Sequence, residues 1–356
     1  MSTIKEAWPI HYERIMAMIK DKSYSEFTKI QIPFEASTHP PLPSWEEIEQ
    51  GFTEYYKPRP RSGKAFRVGA FFVKFGSDPG IFQVSHSLLR TLQQLTRSQE
   101  AEILLFLQAN SQVRVPKVYA AFTRQLFEWT KHFIIIDYIE GETLSGTKWL
   151  SLGENSRSII LSRLCEQFQL LRSIPSEGYY GCVHRQGWIP YYSFLRKMQP
   201  GPAGPYDTYE EFVAALMSSA RLTTAMMTQF EDFWPEQSDA LSRMESGLRA
   251  CNGRRPVFTH MDPSVHNTVI RQIVKPGGEE DWEVTLIDWA EAGWLPAWMQ
   301  TWCLKEKLNM ITTMETPNAA EALEYVEYVA THLGEDYTDQ RELFEDLRRD
   351  ISYGLL

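Results

Sequence analysis

The stretch Val257–Trp294, VFTHMDPSVHNTVIRQIVKPGGEEDWEVTLIDWAEAGW, decides the reading of the whole chain. It contains three short apolar runs, each ending in residues too polar to be core. Val257 and Phe258 feed into His260 and Asp262; Asn267 opens the run Val269, Ile270, Ile273, Val274; and Val284 to Ile287 leads straight into Asp288. Pro276, Gly277 and Gly278 punctuate the second and third runs as a turn. The pattern predicts a short strand entering a loop, a hairpin of two strands, and a second loop. A hairpin returns the chain to where it started, so Asp288 is expected beside Asp262 and Asn267.

Two carboxylates and one amide oxygen converging at strand ends are hard oxygen ligands. Mg²⁺ selects such a set when a substrate phosphate completes its shell. Histidine and thiolate, which zinc prefers, are scarce in the stretch. At this point a family resemblance enters. His260, Asp262 and Asn267 resemble the catalytic loop of the aminoglycoside phosphotransferase and choline kinase group, a branch of the protein-kinase-like fold. Ile287, Asp288 and Trp289, continued by Ala292, Gly293, Trp294 and Pro296, resemble the metal-binding segment of its fungal and bacterial members.

Working outward toward the N-terminus, Lys74 follows the apolar run Phe71, Phe72, Val73 and precedes Phe75 and Gly76. An ammonium there must reach solvent or find an anionic partner. Val73–Gly76 resembles the family strand whose lysine pairs with nucleotide phosphates and with a helix glutamate. The helix SQEAEILLFLQAN offers Glu100 and Glu102. Helical spacing puts Ile103, Leu104 and Leu107 on the face of Glu100, and Leu105, Phe106 and Ala109 on that of Glu102, so periodicity leaves the choice open. Resemblance to the family's Glu-Ala segment favours Glu100.

Ahead of Lys74, residues 55–76 read as β-like, with Arg61, Ser62, Gly63 and Lys64 at a hairpin turn where a phosphate-covering loop would sit. The chain carries neither a P-loop signature nor a complete glycine triad there. Ser44 and Glu47 form a capping box for a short helix, SWEEIEQGF, and an earlier helical pattern runs through Tyr12, Ile15, Met16, Met18 and Ile19. Beyond the lysine helix, Phe133 to Ile136 is a buried strand that leads into Asp137, Tyr138 and Ile139. The resemblance makes this the hinge between lobes, with the Asp137 carbonyl and the Ile139 N–H at the adenine edge and Ile136 behind it. Residues 155–173 form an amphipathic helix, 208–250 supply two more, and further helices are expected over 296–309, 317–333 and 338–352.

Composition bounds the function classes. The chain has 356 residues, 43% hydrophobic and 23% charged, enough for two lobes with sizeable cores. Its net charge of −10 argues against nucleic acid or an anionic membrane as partner and favours a cationic or neutral substrate. The four cysteines, Cys165, Cys182, Cys251 and Cys303, are far apart with no Cys-x-x-Cys pair, which fits reduced thiols in a cytoplasmic protein. The N-terminal residues hold no apolar segment of signal length, and no run approaches the length of a membrane span.

Together the resemblance implies an α+β, bilobal protein-kinase-like fold: a small β-rich N-lobe with one main helix, and a larger, mostly helical C-lobe. The expected division is an N-terminal helical extension over 1–54, a nucleotide-binding lobe over 55–138, and a catalytic and acceptor-binding lobe over 139–356. The resemblance also implies an ATP- (or GTP-) and Mg²⁺-dependent kinase acting on a hydroxyl of a small molecule. In it Asp262 orients the acceptor and takes its proton, His260 braces the catalytic loop, Asn267 and Asp288 hold the metal, and Lys74, fixed by Glu100, steadies the phosphates. Tyr179, Tyr180, Trp188, Trp294 and Trp298 are expected near the acceptor wall, where they would suit a ring-bearing or quaternary-ammonium compound. Met261 and Pro263 depart from the family's residues around Asp262, and Ala297, Trp298, Met299 and Gln300 stand where many fungal relatives are acidic and aromatic, a departure that bears on acceptor identity more than on catalysis. The competing reading is a nucleotide-binding pseudo-kinase or regulatory binding protein, which would have no need of base and metal ligands together.

Overall fold

The computed structural model describes residues 29–56, 65–76, 99–126, 129–188, 203–227, 234–304, 327–333, 337–340 and 342–343. The turn expected at Arg61–Lys64, the early helical pattern through Tyr12 and Ile19, and much of the expected C-terminal helices lie outside these residues.

A five-stranded antiparallel sheet forms the smaller part. It takes β1 (Phe34–Glu35), β2 (Ala65–Val68), β3 (Phe71–Phe75), β4 (Val118–Leu126) and β5 (Trp129–Asp137) in the order β1-β4-β5-β3-β2. The strands run apolar on both faces because both faces are covered. Alternation sends Val73, Phe75, Phe133 and Ile135 to one side, where they pack with Ile48 and Phe52 of α1 (Trp45–Tyr56). Ile134 and Ile136 point the other way, into the main core. Lys74 is paired with Ile134 in the β3–β5 register and shares that inner side. The helix α1 starts at the expected capping box: Glu47 N–H donates to Ser44 Oγ (3.2 Å), and Ser44 N–H donates to Glu47 Oε2 (2.7 Å). It runs on through Tyr55 and Tyr56, so the β-like reading of those two residues was wrong; among the described residues a hairpin turns at Gly69 and Ala70.

Helical residues 99–110 (α2) lie against the inner side of this sheet, with Ile103, Leu104 and Leu107 fully buried. Beyond β5 come β6 (Glu142–Thr143), α3 (Gly146–Ser151), α4 (Glu154–Arg172), α5 (Tyr209–Met227) and α6 (Pro235–Ala250). Of the apolar face that spacing assigns to α4, Ile160, Leu164, Cys165, Phe168 and Leu171 are buried and Ile159 is half-buried. The deciding stretch folds as β7 (Pro256–His260), β8 (Thr268–Val274) and β9 (Glu280–Leu286), followed by β10 (Ala292–Pro296). Strands β6, β8 and β9 form one sheet, and β7 pairs with β10 in another. The β10 pairing had no sequence signature. Gly293 makes it compatible with its neighbour: at φ +159 a Cβ there would stand 2.5 Å from the Gly181 carbonyl oxygen. Gly181 and Trp294 can therefore exchange backbone hydrogen bonds of 3.0 and 2.7 Å.

Helix α4 is fastened to β9 by a fork. Arg163 Nε donates to Asp281 Oδ1 (3.0 Å) and Nη2 to Oδ2 (2.9 Å), with Lys275 Nζ 3.1 Å from the same carboxylate. The hydrogen bonds from Arg163 hold the Asp281 carboxyl well below the usual carboxylate range. A carboxylate depressed in the folded state contributes stability that is present above its unfolded pKa of about 3.9 and is lost as pH falls toward its folded value. Asp281→Asn is therefore expected to lower the urea midpoint at pH 7. The gap between variant and parent should narrow progressively below about pH 4, as read by denaturation curves across that range.

Candidate active site

Lys74 is the centre of the site. Its side chain leaves the inner face of β3 only 7% exposed, so its charge has to be met within the protein. Nζ donates to Glu100 Oε1 at 2.5 Å and to Asp288 Oδ1 at 2.8 Å. The choice that periodicity left open is thereby decided at the level of contact. Glu100, fully buried on α2, faces the lysine, while Glu102 turns away to the backbone N–H of Lys29. The two carboxylates on Lys74 differ in exposure. Glu100 is enclosed, whereas the Asp288 side chain is 43% exposed.

The loop residues are ordered by a closed circuit of hydrogen bonds. Asp262 N–H donates to His260 Nδ1 (3.1 Å), and His260 Nε2–H donates to the Ile287 carbonyl (3.0 Å). Ile287 N–H donates to the Asn267 carbonyl (2.9 Å), and Asn267 Nδ2 donates back to the Asp262 carbonyl (2.9 Å). A backbone N–H can only donate and a carbonyl can only accept, so these two partners fix His260 as the neutral tautomer protonated on Nε2. Its ring also lies 4.4 Å from the Trp289 ring, centroid to centroid, and is wholly buried. The loops around Asp262 and Asp288 are thus one unit, as the hairpin reading expected. Asp288 itself sits at φ +62, in the left-handed region that Asp tolerates better than most residues but at some cost.

The residues present fit a hard divalent cation. Asn267 spends its NH₂ on Asp262, so its amide oxygen is the atom it would offer a cation, and the Asp288 carboxylate on Lys74 is 43% exposed. Among the described residues no group of three or more His, Cys, Asp or Glu side chains could hold a metal ion by itself. Sparse protein oxygens are what Mg²⁺ uses when phosphates and water provide the remainder of its shell.

At the end of β5 the Asp137 carboxylate is structural. It accepts from Lys117 N–H (3.0 Å) and from the Tyr119 hydroxyl (2.6 Å). Burial, with the adjoining Asp137 charge, pushes the Tyr119 hydroxyl up to about 12. Ile136 is buried on the inner side of the sheet, next to Ile134 and so near Lys74. Tyr138 donates its N–H to Ala70 (3.1 Å) and carries the Arg67 guanidinium 3.7 Å above its ring, and Arg67 reaches Glu140 as well. Ile139 follows, half-buried.

Two sequence expectations change. Tyr179, Tyr180, Trp188, Trp294 and Trp298 are all buried core residues, 4% exposed or less, so they offer no aromatic cage to a substrate. Residues 297–300, whose departure from the family was read as bearing on acceptor identity, are fully buried, and Gln300 accepts from His260 N–H (3.0 Å) and donates to His260 C=O (3.1 Å). It fixes the last residue of β7. No local pattern could reveal this, since the partners are 40 residues apart.

A small antiparallel sheet and its one inner helix, meeting a larger unit at a lysine and a set of loop oxygens, is an α+β protein-kinase-like fold. The chain belongs to the phosphotransferase enzyme family, whose model matches residues 65–328, and it is a small-molecule kinase. No curated protein matches it. Among solved structures it is similar to a thermostable mutant of aminoglycoside phosphotransferase APH(4)-Ia in ternary complex with AMP-PNP and hygromycin B, at 12% identity over 81% of this chain and 88% of that one, TM-score 0.42. It is also similar to ADP-bound APH(2'')-Ib, at 14% identity over 95% and 98%, TM-score 0.43. Likeness at that level transfers no substrate.

The Gln300 clamp is testable without any substrate. Gln300→Leu leaves a buried N–H and a buried C=O of His260 unpaired, and each such loss costs about 1–3 kcal/mol. A destabilisation of that size is expected in urea denaturation, and an unchanged midpoint would contradict the clamp.

Proposed function

We propose that the protein is an ATP- and Mg²⁺-dependent phosphotransferase that phosphorylates a hydroxyl group of a small molecule such as an amino alcohol, an aminoglycoside-like compound or a natural-product intermediate. The observation that carries this reading is the contact of Lys74 with both Glu100 and Asp288. In this reading it brings a phosphate-binding cation and a metal-binding carboxylate to one point, the first buried and the second part-exposed. In this reading residues 55–138 form the nucleotide lobe and 139–356 the catalytic lobe, and residues 1–54 precede them as an extension. The Ile139 N–H and Asp137 carbonyl bond the adenine edge, with Ile136 at its back.

Mg²⁺, when bound by Asn267 Oδ1 and Asp288, supplies charge neutralisation at the phosphates. Lys74 keeps its bond to Glu100, which holds the ammonium in place while it steadies the phosphate oxygens. Asp262 accepts the hydrogen bond of the acceptor hydroxyl and takes its proton as the new O–P bond forms and the bond to the ADP leaving group breaks. An ordinary carboxylate is a weak base for an alcohol, but transfer of this kind is largely dissociative, so positioning outweighs basicity. His260 is a positioning residue: its neutral ring has one proton and one lone pair, and both are committed to the loops.

The negative net charge supports a cationic or neutral acceptor over a polyanion. No described helix is long and apolar enough to cross a membrane, and the cysteines carry no disulfide, which agrees with a cytoplasmic setting.

An ADP-production screen against a library of alcohols tests the activity directly: at least one small hydroxyl compound should raise ADP release above the hydrolytic background. Asp262→Asn is expected to keep ATP affinity, measured by calorimetry, and to lose about 10²–10⁴-fold in transfer rate. Full activity in that variant would remove Asp262 from the chemistry.

A further inference from the structure

Glu102 is a buried carboxylate, 4% exposed, while the Lys74 ammonium is bonded to Glu100 and Asp288. Two residues along a helix is a rotation of about 200°, so Glu100 and Glu102 leave α2 on nearly opposite sides. Glu102 accepts the Lys29 backbone N–H with both oxygens, at 3.1 Å each, and the Gln186 side-chain amide at 3.3 Å. His184 Nε2 stands 4.0 Å away. The segments it gathers also hold one another: Lys29 Nζ donates to the His184 carbonyl (2.6 Å), and Gln99 Nε2 donates to the Gly187 carbonyl (3.0 Å). A buried carboxylate has to be met by hydrogen-bond donors, so the segments that supply them are held to α2 through Glu102.

The loop that meets Glu102 is itself held under tension. His184 and Arg185 are consecutive non-glycine residues in the left-handed region, at φ 57 and φ 55. Such a conformation is disfavoured for a side-chain-bearing residue and persists where its surroundings enforce it. Here the Tyr179 hydroxyl accepts from Arg185 N–H (2.9 Å) and donates to the Cys182 carbonyl (2.8 Å). Further along α2, Phe106 stacks on Phe258 at 5.5 Å and meets the His184 ring edge-on at 5.9 Å. Phe258 is in β7, which ends at His260. The side of α2 remote from Lys74 is therefore fastened to the larger unit and to the chain at Lys29.

We propose that Glu102 is a positioning residue for nucleotide binding: it latches α2 to the 182–187 loop and to the N-terminal strand of chain at Lys29, and so holds Glu100 where it orients Lys74. The latch sets the fraction of molecules in which the Lys74–Glu100 pair is made. Apparent nucleotide affinity is the intrinsic affinity scaled by that fraction. Its kinetic readout rests on the phosphotransferase reading above; its structural readout does not.

The test uses the full chain carrying Glu102→Gln, which keeps the shape but turns one accepting oxygen into a donor, and separately Gln186→Ala, which removes a single bond. Glu102→Gln is expected to raise KM for ATP about tenfold and to leave kcat within about twofold, with Gln186→Ala raising KM about threefold. The double variant should be no worse than Glu102→Gln alone, because both act through one latch. Hydrogen exchange of amides in 99–110 should quicken in both variants. An unchanged KM, a fall in kcat at constant KM, or unchanged exchange in α2 would overturn the proposal. Where Glu102→Gln does not fold, Gln186→Ala decides by the same criteria. If the parent chain binds no ATP, the phosphotransferase reading fails and exchange alone decides the latch: quickened in the variants, it stands, and unchanged, it falls.

Discussion

A buried ammonium has to be neutralised locally, and the arrangement of this protein follows from that need at Lys74. Its partners lie 26 and 214 residues away in the chain, on a helix and on a loop. Three segments with no local reason to meet are therefore brought to one point. Removing one partner of an enclosed ion pair costs about 3–5 kcal/mol, since the other is left uncompensated. The pair with Glu100 is of that kind, both side chains being buried. The small sheet, α2 and the loop after β9 are tied together by this charge as much as by their apolar packing.

The second constraint is that loops carrying polar residues must still satisfy their backbone. Here they do so on one another. The circuit through Asp262, His260, Ile287 and Asn267 uses a neutral imidazole as a rigid spacer between loops, and Gln300 secures the residue from which that imidazole projects. Asp288 occupies a left-handed backbone conformation at the edge of this assembly. The outcome is that Asp262, Asn267 and Asp288 are carried on loops braced against one another, with the part-exposed Asp288 carboxylate facing Lys74.

Much of this was legible in the sequence, because chemistry-bearing residues sat at the ends of apolar runs. The strands around His260, Asp262, Asn267 and Asp288, the capping box at Ser44 and Glu47, and the buried face of α4 all follow from spacing and turn chemistry. What was not legible depended on partners far away in the chain. Periodicity could not choose between Glu100 and Glu102, since both faces of α2 are apolar and both carboxylates are buried. The five core aromatics were misplaced near the acceptor, and the clamp by Gln300 went unseen, for the same reason: a polar or aromatic residue looks alike whether it lines a pocket or closes a core. The β7–β10 pairing and the left-handed residues His184 and Arg185 depend on close backbone approach, which side-chain patterns do not encode.

The most direct test of the account is a crystal structure of the chain with Mg²⁺ and a non-hydrolysable ATP analogue. The account predicts phosphates seated between Lys74 Nζ and the Asp288 carboxylate, with the metal on Asp288 and the Asn267 amide oxygen and the Lys74–Glu100 pair intact. A nucleotide bound elsewhere, with Lys74 still closed on Asp288, would contradict it.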